Sequence, residues 1–218
     1  KPAPFQVSYL GYFAPTYLEC INGWIGDKTL FGNLDNVDKK QNKLLIEGGY
    51  MAYEDEDLPE VRRIENDYFK FGSFNHSRKL GKETIALFTS VIASIPNTQL
   101  VLKSISFIEK EEQERIRRLF LEAGLSSNRL ILMSYIDNQS NHLAAYSEID
   151  VALDPLPYGG ATTTCEALMM GVPVITFAGD GMVGRLSASI LMHAGCSEWI
   201  ANSDKEYINI AKSLFKEG

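Results

Sequence analysis

Cysteine is scarce and poorly placed for cross-linking. The chain has three, Cys20, Cys165 and Cys196, far apart and with no C-x-x-C pair. That spacing argues against a disulfide framework or a thiolate metal site and points to a reducing compartment, the cytoplasm. Basic residues are outnumbered: 21 Lys and Arg stand against 28 Asp and Glu, for a net charge of -7. A nucleic-acid partner needs a basic face to displace phosphate counterions, so none is expected. A small anionic ligand stays open, because one loop can outweigh the global balance. Long apolar runs are missing too. The longest, 167–178, is broken by Gly171 and Pro173 and is too short for a bilayer, so no membrane partner is expected. The Lys-Pro-Ala-Pro start has no signal-peptide pattern. It also lacks an initiator Met and runs almost at once into a strand-like segment, which suggests a piece of a longer protein. Internal repeats and low-complexity segments are absent.

Hydrophobic residues make up 45% of 218, enough for a full core. From residue 68 onward, short β-branched apolar runs alternate with amphipathic stretches. Strands are expected at 69–74, 100–102, 130–133, 151–153, 174–177 and 199–201. Helices are expected at 82–95, 109–123, 140–146, 163–170, 185–193 and from Ser203 and Asp204 to about Lys216. In 109–123, Ile116, Leu119, Phe120 and Ala123 share one face, and Gly124 closes the helix. Strict alternation of this kind implies a parallel sheet covered on both faces, a doubly wound, Rossmann-like α/β fold. Such sheets bind ligands beyond the carboxyl ends of their strands. Residues 1–67 read differently. Strands are expected at 6–10 and 43–47, with a glycine-rich loop between them and an acidic linker of Glu54, Asp55, Glu56, Asp57 and Glu60. This part has too few elements for a domain and reads as the tail of a preceding α/β domain. The expected division is therefore 1–67 and 68–218.

The chemically informative segment runs from Asp150 to Leu168. A strand ends near Asp154, and Pro155 and Pro157 stop further ladder pairing. Gly159 and Gly160 allow a sharp turn and close approach of a ligand. Thr162, Thr163 and Thr164 then stand at a helix start, where unpaired amides and the dipole favour an anion. A structural reading competes: Thr163-x-x-Glu166 has the spacing of a capping box. In the functional reading the amides stay free for phosphate and Glu166 turns toward ribose hydroxyls. No carboxylate cluster accompanies Asp150 and Asp154, so no catalytic metal and no cofactor is expected. Cys165 is expected to pack. Arg185 reads as a ligand contact or a structural ion pair, and His193 as a cation at a helix C-terminus.

Several segments occur in a family order. They are Phe74-Asn75-His76-Ser77-Arg78-Lys79-Leu80, Asn141-His142-Leu143 through Tyr146, Asp150-Val-Ala-Leu-Asp154 with the threonine loop, Gly171-Val-Pro-Val-Ile-Thr, and Gly184-Arg185-Leu-Ser-Ala-Ser. Together they resemble the catalytic region of the O-GlcNAc transferase and SPINDLY family. The run from Ala3 to Tyr12 resembles the close of that family's first catalytic lobe. The resemblance covers nearly the whole chain. It implies a two-lobed GT-B architecture, with this chain holding the second lobe and the end of the first. It also implies helical repeats upstream, and transfer of a sugar from UDP, or from GDP, to Ser or Thr of a protein acceptor.

Residue by residue, the resemblance makes Lys79 the catalytic lysine beside the donor phosphates. It makes His142 a neighbour of the nucleoside, Thr162 and Thr163 phosphate ligands, Thr164 a further contact of the donor nucleotide, and Glu166 the ribose acid. Ile136 and Asp137 lie on the base-side loop, His76 joins the donor contacts, and Leu10 and Gly11 lie near the donor sugar. Four departures stand out. Gln139 replaces a base-stacking lysine, His76 an amide residue and Ala161 a polar one. Phe13-Ala14-Pro15-Thr16 stands where the family has a Pro-Gly-Thr run. Other readings of the same residues are a nucleotide-binding module without transfer, or a sugar-nucleotide epimerase on this fold.

Overall fold

The computed structural model describes residues 2–11, 16–32, 42–54, 58–61, 64 and 67–217. The acidic run 55–57 and the divergent residues 13–15 lie outside these.

The larger sheet has six strands: β4 (Phe69–Ser73), β5 (Thr98–Lys103), β6 (Leu130–Met133), β7 (Val151–Leu153), β8 (Val174–Phe177) and β9 (Ile200–Ala201). Their spatial order is β6-β5-β4-β7-β8-β9, with every pairing parallel. This is the doubly wound dinucleotide-fold order, and its switch point falls between β4 and β7. The helices are α2 (Lys82–Ala93), α3 (Lys110–Glu122), α4 (Gln139–Ala144), α5 (Thr162–Met169), α6 (Gly181–Gly184), α7 (Leu186–His193) and α8 (Asp204–Glu217). They cover both faces. Strand residues sort by parity, as a pleat requires. Leu100, Leu102, Val151 and Leu153 enter one core with Phe88, Ile92, Phe120 and Tyr207. Val101 and Ala152 enter the other with Leu143, Tyr146, Ala167 and Leu191. Gly72 in β4 is there for space, because a Cβ would meet Ile149 side-chain carbons at 2.5 Å. At α8, Ser203 caps the helix, its Oγ accepting from the Glu206 amide at 3.2 Å.

The first part of the chain holds more structure than its composition suggests. β1 (Val7–Ser8), β2 (Gly23–Gly26) and β3 (Asn42–Leu45) form a three-stranded parallel sheet, and α1 is Lys28–Phe31. The stretch expected to be a loop thus contains β2 and α1, and the first strand shrinks to two residues. The glycines there allow close approach rather than disorder. A Cβ on Gly23 would meet the Asn42 carbonyl at 2.6 Å, and one on Gly26 the Phe31 ring at 2.8 Å. Buried Asp27 caps α1 by accepting from the Leu30 amide at 2.7 Å. Its other oxygen accepts from the Tyr50 amide at 2.9 Å and from the Ser189 hydroxyl on α7. Trp24, Leu30, Phe31 and Tyr50 share a core with Met182 and Leu186, so this piece packs directly on α6 and α7.

Candidate functional site

The loops after β4 and β7 meet at the switch point, where two parallel strands send their connections to opposite faces and leave a crevice. The β4 loop carries Asn75, His76 and a turn of 3-10 helix at Ser77–Lys79. Lys79 reaches across the crevice: its Nζ donates to Gly159 O at 2.7 Å and to Asn75 Oδ1 at 2.9 Å, and lies 4.7 Å from the centre of the Tyr158 ring. Burial pushes its ammonium below the usual lysine range, opposed by the charge of Asp154.

The β7 loop delivers the start of α5. Asp154 ends the strand fully inside the protein, and its Oδ1 accepts from the Gly160 amide at 3.0 Å. Burial pushes its carboxyl upward, against the nearby Ser187 and Thr176 hydroxyls, the Gly160 amide and the Lys79 charge. Ser187 on α7 donates to Gly160 O at 2.7 Å. The two glycines are required by contact distances. A Cβ on Gly159 would sit 2.2 Å from Asp154 Oδ2, and one on Gly160 would sit 2.0 Å from Thr163 Oγ1.

The capping box does not form. α5 begins at Thr162, so its N-cap is Ala161, which makes no side-chain hydrogen bond to the helix. Thr163 is already inside the first turn, and Glu166 turns away from it. Glu166 Oε2 instead receives His142 Nε2 at 3.1 Å and the Tyr146 hydroxyl at 3.0 Å. Burial opposes ionisation of Glu166, but hydrogen bonds from His142, Tyr146 and Gln139 hold it below the usual carboxylate range. The Tyr146 hydroxyl also lies 3.2 Å from Thr163 O, and the Thr163 hydroxyl lies 3.5 Å from Asn75 Oδ1. Lys103, at the end of β5, sits against His142 Nδ1. A continuous polar chain thus runs from Lys79 through Asn75, Thr163, Tyr146, Glu166 and His142 to Lys103.

Residues 60–217 match the model of glycosyl transferase family 41. The chain belongs to that family.

Curated relatives include proteins named probable UDP-N-acetylglucosamine–peptide N-acetylglucosaminyltransferase SPINDLY. The Hordeum vulgare protein is 31% identical over 98% of this chain, and the Oryza sativa protein 32% identical over 98%. The chain spans 23% and 24% of their respective lengths. A solved mutant of the Thermobaculum terrenum O-GlcNAc transferase superposes with a TM-score of 0.92 at 33% identity, over 98% of this chain and 41% of that one. A sucrose-phosphate synthase from Thermosynechococcus elongatus shares the fold at 20% identity and a TM-score of 0.51, over 91% of this chain and 55% of that one. The doubly wound fold expected from the alternation is therefore that of the GT-B glycosyltransferases.

The family 41 chain distributes the other expected residues unevenly. Thr162 is exposed at the crevice and Thr163 half-buried, but Thr164 is buried with its hydroxyl 3.1 Å from Ser187 Oγ. Only its backbone amide is left for a ligand. Asp137 is exposed on the loop before α4, its carbonyl accepting from Asn141 Nδ2 at 3.3 Å. The His76 ring is turned outward, accepting at Nδ1 from the Arg78 amide at 3.2 Å with Nε2 3.5 Å from Ser106 Oγ. It is not part of the chain of contacts at the crevice. Leu10 and Gly11 follow β1 and are exposed, both with positive φ, and their backbone lies against the Tyr50 hydroxyl. Arg185 makes a structural contact, its Nε donating to Thr29 O on α1 at 2.7 Å. His193 faces Asp27 at 3.7 Å. Burial holds the Cys165 thiol up at about 11, which suits packing rather than nucleophilic chemistry.

Three residues of the network, Asn75, Lys103 and Tyr146, and Ser187 beside the glycine loop went unrecognised by sequence reasoning as members of a site. Lys103 carries a readable signal, a lysine closing an otherwise apolar strand on the ligand side of the sheet. Among the described residues, no cluster of three or more His, Cys, Asp or Glu could hold a metal ion, and no helix is long and apolar enough to cross a membrane.

Proposed function

We propose that this chain is the donor-binding part of a glycosyltransferase that takes a nucleoside-diphosphate sugar and glycosylates Ser or Thr of a protein. In this reading residues 68–218 form the donor lobe and 1–67 the end of the first lobe. The observation that carries it is the meeting of Lys79 with the loop that opens α5, a cation beside a helix start that no side chain caps. A diphosphate needs both, the positive end of a helix and a mobile point charge.

Chemistry follows from where charge develops. The acceptor hydroxyl oxygen bonds to the anomeric carbon while the bond from that carbon to the diphosphate breaks, its electron pair leaving on the diphosphate. Lys79 and the Thr162 and Thr163 amides meet that added charge, and no metal ion is needed. The hydroxyl proton passes to a base of the first lobe or to the donor phosphate. Glu166 serves the ribose diol, His142 and Asp137 the nucleoside side, and Leu10 and Gly11 the sugar. The names of the relatives support a UDP-sugar donor and a peptide acceptor.

Calorimetry with UDP and with GDP on the 218-residue chain tests this reading and identifies the base. Heat with one of them, abolished by K79A, is expected. No heat with either rejects the phosphate site.

A further inference from the structure

The ligand edge of the sheet holds a buried cation that the proposed reaction does not use. Lys103 closes β5 and is 5% exposed. Its Nζ lies against His142 Nδ1 and 5.4 Å from the centre of the Phe74 ring. The Phe74 ring lies 4.5 Å from that of Tyr146, tilted by 39°, so ammonium, imidazole and phenol share one aromatic pocket. The groups facing His142 are Lys103 on one side, Glu166 on the other, and the Phe74 and Tyr146 rings. A buried lysine is costly, and sequence position alone does not require one here.

Its effect on His142 is directional. An ammonium has only protons to give, so the imidazole nitrogen facing it must be the acceptor. A proton between an amine and an imidazole, whose ordinary pKa values lie about four units apart, stays on the amine. Burial lowers the Lys103 ammonium and the Glu166 charge raises it again. Nδ1 is then bare, and the one ring proton is on Nε2, 3.1 Å from Glu166 Oε2. Tyr146 donates to the same oxygen, so the carboxylate is held from one side by two donors.

We propose that Lys103 is a positioning residue of the donor site: its ammonium holds His142 as the Nε2–H donor that orients Glu166 toward a vicinal diol. The last clause rests on the donor reading above; the part concerning His142 does not. Glu166 is itself 4% exposed, so a diol reaches it by displacing exposed Gln139, which also donates to the carboxylate.

The chain has three histidines, so long-range proton–nitrogen NMR spectra of the imidazoles are assignable with H76Q and H193Q variants. In the unmodified chain at pH 7, His142 should show a protonated Nε2 and a bare Nδ1. A proton on Nδ1 overturns the proposal at once. In K103M and K103Q, with the cation gone and Glu166 still present, Nδ1 should gain a proton, while K103R should keep the original pattern. A ring unchanged in both neutral variants overturns it as well.

The second arm is calorimetry with the tighter of UDP and GDP against its 2′,3′-dideoxy analogue. The unmodified chain should prefer the diol about tenfold, because a site built to bond a hydroxyl is left unpaired without it. In K103M that preference should shrink to about twofold, and K103R should restore most of it. A full diol preference in K103M overturns the link to Glu166. If neither nucleotide binds the unmodified chain, the donor reading fails while the ring spectra still decide the role of Lys103.

Discussion

Lys79 carries a desolvation cost. It sits in a crevice that lowers its ammonium, against two neutral oxygens and a ring, with Asp154 as the charge that opposes the shift. In the proposed function that cation is held for the donor diphosphate, since the resting protein gains little from desolvating it. Methionine has similar length and no charge to desolvate. K79M in the full-length enzyme is expected to lower turnover by about two to three orders of magnitude. Its thermal midpoint should not fall. Near-normal turnover would remove Lys79 from the chemistry. A midpoint several degrees lower would mean that the lysine is mainly structural.

At the scale of elements, the decisive unit is β7, its loop and α5. Asp154 fixes the Gly160 amide, Ser187 fixes the Gly160 carbonyl, and Lys79 holds the Gly159 carbonyl. The loop is therefore gripped from the strand, from α7 and from across the crevice. The first turn of α5 so held has no side-chain cap. G160A tests the grip, because the added methyl would have to displace the Thr163 hydroxyl, 2.0 Å away, and the Thr164 amide, 3.2 Å away. The expected outcome is a stability loss of about 1–3 kcal/mol by chemical denaturation. Nucleotide affinity should fall at least tenfold, since the first turn of α5 moves. Unchanged affinity would place the diphosphate elsewhere.

On the scale of the whole molecule, the two sheets are coupled through buried polar contacts as well as apolar ones. Asp27 takes the Leu30 and Tyr50 amides from its own side and the Ser189 hydroxyl from α7, and Arg185 returns a bond to Thr29 O. α7 also carries Ser187, so the same helix touches both the glycine loop and the first part of the chain. D27A leaves three buried donors unpaired and should cost about 2–4 kcal/mol, seen as a drop of roughly 5–15 °C in thermal midpoint. A loss under about 0.5 kcal/mol would mean that the apolar contacts of Trp24, Leu30 and Phe31 carry the coupling alone.

The sequence by itself determined the parallel, doubly wound fold. Its apolar strands and helical periodicities are local signals, and all six expected helices in the second part begin and end within two residues of those found. It also located the glycine–threonine loop, because turn chemistry is local. It did not decide whether the capping box forms. That choice depends on one residue of register, with α5 starting at Thr162, and on partners for Glu166 that lie 20 and 24 residues away in sequence. Nor did it expose β2 and α1, since glycines that permit close packing look the same in sequence as glycines that permit a loop. Thr164 turning inward, Arg185 bonding a backbone carbonyl and Lys103 facing His142 are likewise outcomes of packing between distant segments. Such contacts have no local signature, because which groups meet across a crevice is set only when the sheet closes and its loops are brought together.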